Sequence, residues 1–194
     1  MNSIQHFMLD HEPEKAQHYL AQYAKLIRRV LENNMEKFVP LDDELDMLEI
    51  YMEIESMRFS TSFEFEINIS EELEEKEYQI PPMILQPYIE NAIWHGISPL
   101  DGKGIIDIAL KINSAGKGDI LECVVKDNGV GREWSEKNKM QKNPGHQSKG
   151  MSITKERLEL LNSMYGNKNS VEFIDLHSEN NEPCGTEVRI FIPV

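Results

Sequence analysis

The chain is poor in cysteine, in aromatic residues and in basic charge, and it has no long hydrophobic run. Cys123 and Cys184 are its two cysteines, far apart and without metal-ligand spacing. They read as reduced thiols of a cytoplasmic protein rather than as a structural disulfide. Aromatics make up 8% of the residues and hydrophobics 40%, the balance of a soluble globular protein. No apolar stretch approaches the ~18 residues that a membrane span needs. The start, Met1-Asn2-Ser3-Ile4-Gln5-His6, lacks the basic and apolar regions of a secretory signal. Twenty lysines and arginines face 34 acids, for a net charge of −14. That surface repels phosphate backbones and excludes general nucleic-acid binding. A single nucleotide is still possible, because backbone N–H groups, a metal ion and a few lysines can hold one locally. Much of the acid lies in Leu41-Asp42-Asp43-Glu44-Leu45-Asp46 and Ser70-Glu71-Glu72-Leu73-Glu74-Glu75-Lys76-Glu77, expected to be a solvated helix face and a loop.

The 194 residues suit one domain and a short accessory piece. Residues 2–9 read as a helix end, with Ile4, Phe7 and Met8 on one face, and His11-Glu12-Pro13 as a break. Apolar residues then recur at helical spacing from Ala16 to Leu31, and again from Leu45 to Met57. Phe38-Val39-Pro40-Leu41 connects the two helices. Phe63-Glu64-Phe65-Glu66-Ile67-Asn68-Ile69 alternates and predicts a strand. Pro81-Pro82 predicts the start of a helix running through Trp94. Residues 105–112 and 120–125 predict a hairpin closed by a Gly/Asn/Ser-rich turn. Residues 133–149 are polar and unusually long for a connector, which suggests a mobile functional loop. A helix over about 151–165 and strands over 170–176 and 186–192 complete the chain. This order implies an α+β architecture, with helices on one face of a mixed, mostly antiparallel sheet.

Four features could carry chemistry. Glu90, Asn91 and His95 are polar residues on an otherwise apolar helix, with Asn91 and His95 one turn apart on the same face. Such groups need partners or a ligand, and a solvated edge is the plain alternative. Lys126-Asp127-Asn128-Gly129-Val130-Gly131 follows an apolar strand. Its carboxylate could accept from an exocyclic amine, and its glycines leave room for a flat ring; a simple strand-exit turn would look the same. Gly150 opens a helix whose first N–H groups suit phosphate, or serves as a plain cap. Thr186, in Cys184-Gly185-Thr186-Glu187-Val188, could hydrogen-bond a base edge or merely enter a strand.

Together, the order and spacing of these features resemble the N box and the three glycine boxes of the GHKL superfamily over residues 79–194. Within it, Pro82-Met83-Ile84-Leu85-Gln86-Pro87-Tyr88-Ile89-Glu90-Asn91-Ala92-Ile93-Trp94-His95-Gly96 resembles the N box of LytS-type sensor histidine kinases, P-x-L-L-Q-P-L-V-E-N-A-x-x-H-G. Asn2-Ser3-Ile4, Leu26-Ile27-Arg28-Arg29-Val30-Leu31 and Val39-Pro40-Leu41-Asp42-Asp43-Glu44-Leu45 are similar to that family's N-terminal landmarks.

The resemblance implies a GHKL (Bergerat) two-layer α/β sandwich over residues 61–194, preceded by a helical dimerisation-type segment over 1–60. It implies ATP and Mg²⁺ as cofactors. Asp127 would take the adenine amino group, Gly129 and Gly131 would line the base, and Thr186 would reach it by hydroxyl or water. Asn91 would hold the metal, Glu90 would orient water or metal, His95 would sit near the phosphates, and Gly150 would offer them N–H groups. The implied activity is transfer of the γ-phosphate to a histidine, then to a response regulator of the LytTR-associated kind. Homodimerisation through the helices, and membrane attachment through upstream segments, would follow. The sequence departs from the family at three places. The acceptor motif is absent, and His6 lies beyond where it would end, so the chain is expected not to label itself. Trp94 stands where many relatives carry a basic residue, and Ser148-Lys149-Gly150-Met151 replaces G-x-G-L. The competing readings are a GHKL ATPase driving a conformational cycle and a nucleotide-binding module without transfer activity.

Overall fold

Period-two alternation along the long strands gives the protein a sheet with one apolar face. The computed structural model describes residues 12–33, 35–58, 63–74, 76–114, 118–135 and 171–194. Its strands are β1 (Val39–Pro40), β2 (Glu64–Ile69), β3 (Gln79–Ile80), β4 (Ile105–Ser114), β5 (Asp119–Asp127), β6 (Val171–His177) and β7 (Pro183–Pro193). Five of these make one sheet in the order β2-β4-β5-β7-β6. The β2–β4 pair is parallel and the other three pairs are antiparallel, the mixed sheet expected from the sequence.

Alternate residues Ile106, Ile108 and Leu110 of β4, Leu121, Cys123 and Val125 of β5, and Val188, Ile190 and Ile192 of β7 are buried in one core. The helix α4 (Gln86–Asn91) and the π-helical turn that continues it, Ala92–Ile97, supply Ile89, Ile93 and Ile97 to the same core. Each such side chain contributes roughly 1.5–3 kcal/mol by leaving water. The result is a two-layer α/β sandwich.

Helices α1 (Pro13–Asn33) and α2 (Leu41–Arg58) precede the sheet, and α3 (Glu71–Glu74) follows β2. Helix α2 is apolar on two sides. Leu41, Leu45, Leu48 and Met52 enter the main core, while Ile50 and Ile54 pack on Ala16 and Tyr19 of α1. The connector before α2 is the short strand β1, paired antiparallel with β3.

The structure departs from the sequence reading at three points. The helix predicted from Pro82 begins only at Gln86. Met83 has φ of +57°, which interrupts a helix, and the N–H groups of Met83 and Leu85 donate to the carboxyl of Glu44 at 2.8 and 3.4 Å. A side chain therefore satisfies backbone groups that a longer helix would have bonded internally. The acidic run of α2 is not a uniformly solvated face, since Glu44 is 0% exposed. The second acidic run holds a helical turn with Leu73 buried. The predicted loop over 133–149, apart from a helical turn over 132–135, and the helix over 151–165 lie outside the described residues.

Candidate functional site

The apolar rows of the sheet end in polar residues, and those ends form the floor of a cavity. In β5 the inward row Leu121, Cys123, Val125 is completed by Asp127, and in β7 the row Ile192, Ile190, Val188 is completed by Thr186. The strand register sets Asp127 opposite Thr186. Both are buried, with Asp127 only 5% exposed. Its Oδ1 accepts the Gly129 N–H at 2.8 Å. Burial pushes the Asp127 pKa up to about 6, although the backbone N–H groups of Gly129 and Thr186 favour the ionised form. Asp127 and Thr186 line a cavity of about 230 Å³ together with Asn91, His95, Gly96 and Gly131.

The wall above this floor comes from α4 and the turn after it. The Ser98 N–H reaches the Ile93 carbonyl at 2.7 Å, an i→i+5 bond that widens the helix over Ala92–Ile97. Such turns are rare and concentrate at functional sites. Asn91 donates its Nδ2 to the Pro87 carbonyl at 2.7 Å, which leaves Oδ1 as its available ligand atom. Glu90 sits one position round the helix and accepts from Gln86 Nε2 at 2.8 Å; it does not line the cavity. His95 lines it, and its backbone carbonyl accepts from Ser135 Oγ at 2.8 Å.

Glycines let the loop after β5 touch this helix. A Cβ on Gly129 would lie 2.3 Å from the Gly96 carbonyl carbon, and one on Gly96 would lie 2.7 Å from Asp127 Oδ1. The Val130 N–H then donates to the Gly96 carbonyl at 3.1 Å. Gly129 therefore acts in backbone packing and is not on the cavity surface, whereas Gly131, at φ of +77°, is. Gly150 lies outside the described residues.

Several lining residues escaped the sequence reading. Arg132 makes a two-pronged pair with Asp175, both bonds at 2.7 Å, and its guanidinium carbon lies 5.0 Å from the centre of the Phe173 ring. That pairing holds the Asp175 carboxyl below its usual range. Phe173 in turn sits 6.4 Å from the Tyr88 ring, so an aromatic and cationic shelf closes one side of the cavity. Arg132 does follow the Asp127-Asn128-Gly129-Val130-Gly131 stretch directly, a signal that could have been used. Phe173 had none beyond its place in a strand. Among the described residues no group of three His, Cys, Asp or Glu side chains could cage a metal. Cys123 is buried and Cys184 exposed, both as free thiols, in line with the sequence reading.

Known proteins are similar to this chain in sequence and in fold. A family profile described as histidine kinase matches residues 1–63. The sensor protein LytS of Oceanobacillus iheyensis is 34% identical over 97% of the chain and 31% of its own length. The sensor histidine kinase YpdA of Escherichia coli is 30% identical over 93% of the chain and 29% of its own length. The chain thus spans about a third of these curated relatives. Among solved structures, the mycobacterial sensor histidine kinase MprB superposes with a TM-score of 0.51 at 19% identity, over 80% of this chain and 95% of that one. At this identity the likeness speaks for the fold alone, a two-layer α/β sandwich on a mixed sheet. Along nearly its whole length the chain is similar in sequence to part of the LytS-type sensor histidine kinases.

Proposed function

We propose that the chain is the ATP-binding catalytic core of its kinase, delivering the γ-phosphoryl group of Mg·ATP to a histidine. The observation that carries this reading is Asp127, a buried carboxyl at the floor of a cavity whose wall presents Asn91 and His95. A carboxylate there accepts from the adenine amine, Thr186 meets the base through its hydroxyl or a water, and Gly131 leaves space for the ring. Gly129 acts on the same contact by holding the loop against Gly96. Gly150, in the family's pattern, offers N–H groups to the phosphates.

The residues fit a magnesium ion that arrives with its nucleotide. Mg²⁺ takes one or two protein oxygens and fills its shell with phosphate and water. Asn91 Oδ1 supplies one such oxygen, in keeping with the lack of a three-ligand cage among the described residues. The ion would neutralise phosphate charge. Glu90, which is off the cavity surface, would act there only through a water, and His95 would face the phosphates. Transfer then depends on placing the acceptor Nε2 in line with the γ-phosphorus. The phosphoryl group passes onward to an aspartate of a response regulator of the LytTR-associated kind.

In this reading, residues 1–60 form the helical part and 61–194 the ATP-binding part, joined through α2, which packs into both cores. Two copies associate through α1, which exposes Leu20, Tyr23, Ile27 and Leu31 along one stripe. The chain acts on the cytoplasmic side of a membrane-anchored sensor, since its relatives are about three times longer and carry sensor names. Among the described residues no helix is long and apolar enough to cross a membrane.

Calorimetry with Mg·ATP tests the central contact. Asp127→Asn replaces an acceptor by a group that also presents N–H to an amine, and should weaken binding by about 1–3 kcal/mol. Equal affinities of the two proteins would remove Asp127 from the base site.

A further inference from the structure

Trp94 is a large aromatic residue left 41% exposed on the helix that walls the cavity. It does not line the cavity, but its neighbour His95 does. The guanidinium of Arg58, at the end of α2, lies over its ring with Cζ 5.1 Å from the centroid. Arg58 Nη1 is held at 2.6 Å by Glu55, an acid that is 4% exposed and therefore fixed in place. Tyr51 feels the charges of Glu55, Glu90 and Arg58 and bonds to Trp94, so all five side chains meet on one flank of the helix. The guanidinium is thus pinned twice, by an ion pair along one edge and by an aromatic face beneath it. Nη1 is the donor engaged among the described contacts; Nη2 and Nε remain on a half-exposed side chain. A planar fork held this way loses little freedom when it meets an oxyanion. Arg132, which lines the cavity, has its Nε and Nη2 committed to Asp175.

We propose that Arg58, platformed on Trp94, binds the terminal phosphate of ATP and makes the site prefer ATP to ADP. The assignment rests on the ATP reading above. With the base on Asp127, the phosphates would run past Asn91 on the cavity wall, and Trp94 is the i+3 neighbour of Asn91, so a terminal phosphate that passes Asn91 would leave on the Trp94 flank. Two carboxyls, Glu55 and Glu90, stand on that flank and repel a triphosphate. Arg58 offsets them with a charge that keeps its guanidinium geometry through Glu55. The cation comes from α2, and the Trp94 ring beneath it is what aims it. Because α2 is also the helix that packs on α1, the terminal phosphate is read by the element that joins the two parts of the chain.

Calorimetry of the 194-residue chain with Mg·ATP and with Mg·ADP separates the two affinities. Arg58→Gln is expected to weaken ATP about tenfold and ADP by less than about twofold, the loss of one charge-assisted contact. Trp94→Ala keeps the Arg58–Glu55 pair and removes the platform, so ATP should weaken about threefold with ADP unchanged. If both variants keep the ATP-to-ADP ratio of the unaltered chain while binding both nucleotides, Arg58 is not a phosphate ligand and the ATP site stands without it. Equal weakening of both nucleotides would likewise overturn the assignment, since it marks a structural role. If the unaltered chain binds neither nucleotide, the reading of the cavity fails and the assignment falls with it.

Discussion

Asp127 titrates near 6 because the sheet buries its carboxyl, and that places function and stability in opposition at one residue. The folded chain holds this proton more tightly than the unfolded chain, where an aspartate titrates near its usual 3.8. Between those values the folded state carries the extra proton, so the stability contributed by Asp127 is full below the unfolded value and lost as pH rises through about 6. The difference amounts to roughly 3 kcal/mol, by the ~1.4 kcal/mol that each pKa unit represents. In the absence of nucleotide, Asp127→Asn should therefore be more stabilising near pH 7.5 than near pH 4, by about 2–3 kcal/mol. Urea unfolding of both proteins at the two pH values measures this, and a pH-independent difference would contradict it. In the proposed site the same variant would lose the base contact, so a gain in stability should accompany a loss of binding. This residue was legible in the sequence because a carboxylate directly after an apolar strand, followed by two nearby glycines, is a marked departure from the strand's own pattern. Arg132 and Phe173 were not legible in that way. Their approach depends on β6 lying beside β7, a pairing that alternation alone does not specify.

Glu44 links two elements that are far apart in the chain. Its carboxyl, at the start of α2, accepts from the N–H groups of Met83 and Leu85 just before α4. Those bonds take over where Met83, at positive φ, stops the helix from starting early, and they fix where Asn91 and His95 stand. Glu44→Ala should leave buried backbone donors unpaired and cost about 2–5 kcal/mol in chemical unfolding. Glu44→Gln keeps one acceptor oxygen and should cost less. Nucleotide affinity should fall in the alanine variant although Glu44 does not line the cavity, and an unchanged affinity would show that α4 is positioned without it. The strands were read well from sequence, because alternation reports directly which side faces the core. The start of α4 was misread. Helical spacing from Pro82 onward looks the same whether the first turn bonds to itself or to a buried side chain 39 residues away. The two acidic runs looked alike for a related reason. Composition shows charge, but which single acid turns inward is decided by the element that packs against it.

Among the described residues two cores share one helix, and the outer helix α1 carries exposed apolar side chains. Ala16 and Tyr19 of α1 rest on Ile50 and Ile54 of α2, whereas Leu20, Tyr23, Ile27 and Leu31 stand exposed. Their spacing of three, four and four residues puts them on one side of the helix. A run of large apolar side chains on a single stripe is costly in water and suits a second helix of the same kind. Basic residues are close by, and Arg29 is already paired with Asp43 at 2.8 Å and Asp46 at 3.4 Å within the chain. Those pairs hold α1 against α2 and leave the apolar stripe turned outward. The proposed dimer therefore needs no rearrangement of the two-helix unit. Replacing Leu20 and Ile27 together by Asp removes two apolar contacts of roughly 1.5–3 kcal/mol each per copy and sets like charges in the interface. The dimer dissociation constant should rise more than about a hundredfold, which sedimentation equilibrium would register as a monomer at micromolar concentration. Binding of Mg·ATP should be unchanged, because the cavity lies between the sheet and α4, away from α1. A dimer of unaltered affinity would move the interface elsewhere. A loss of nucleotide binding together with dimerisation would mean that the second copy helps to build the site.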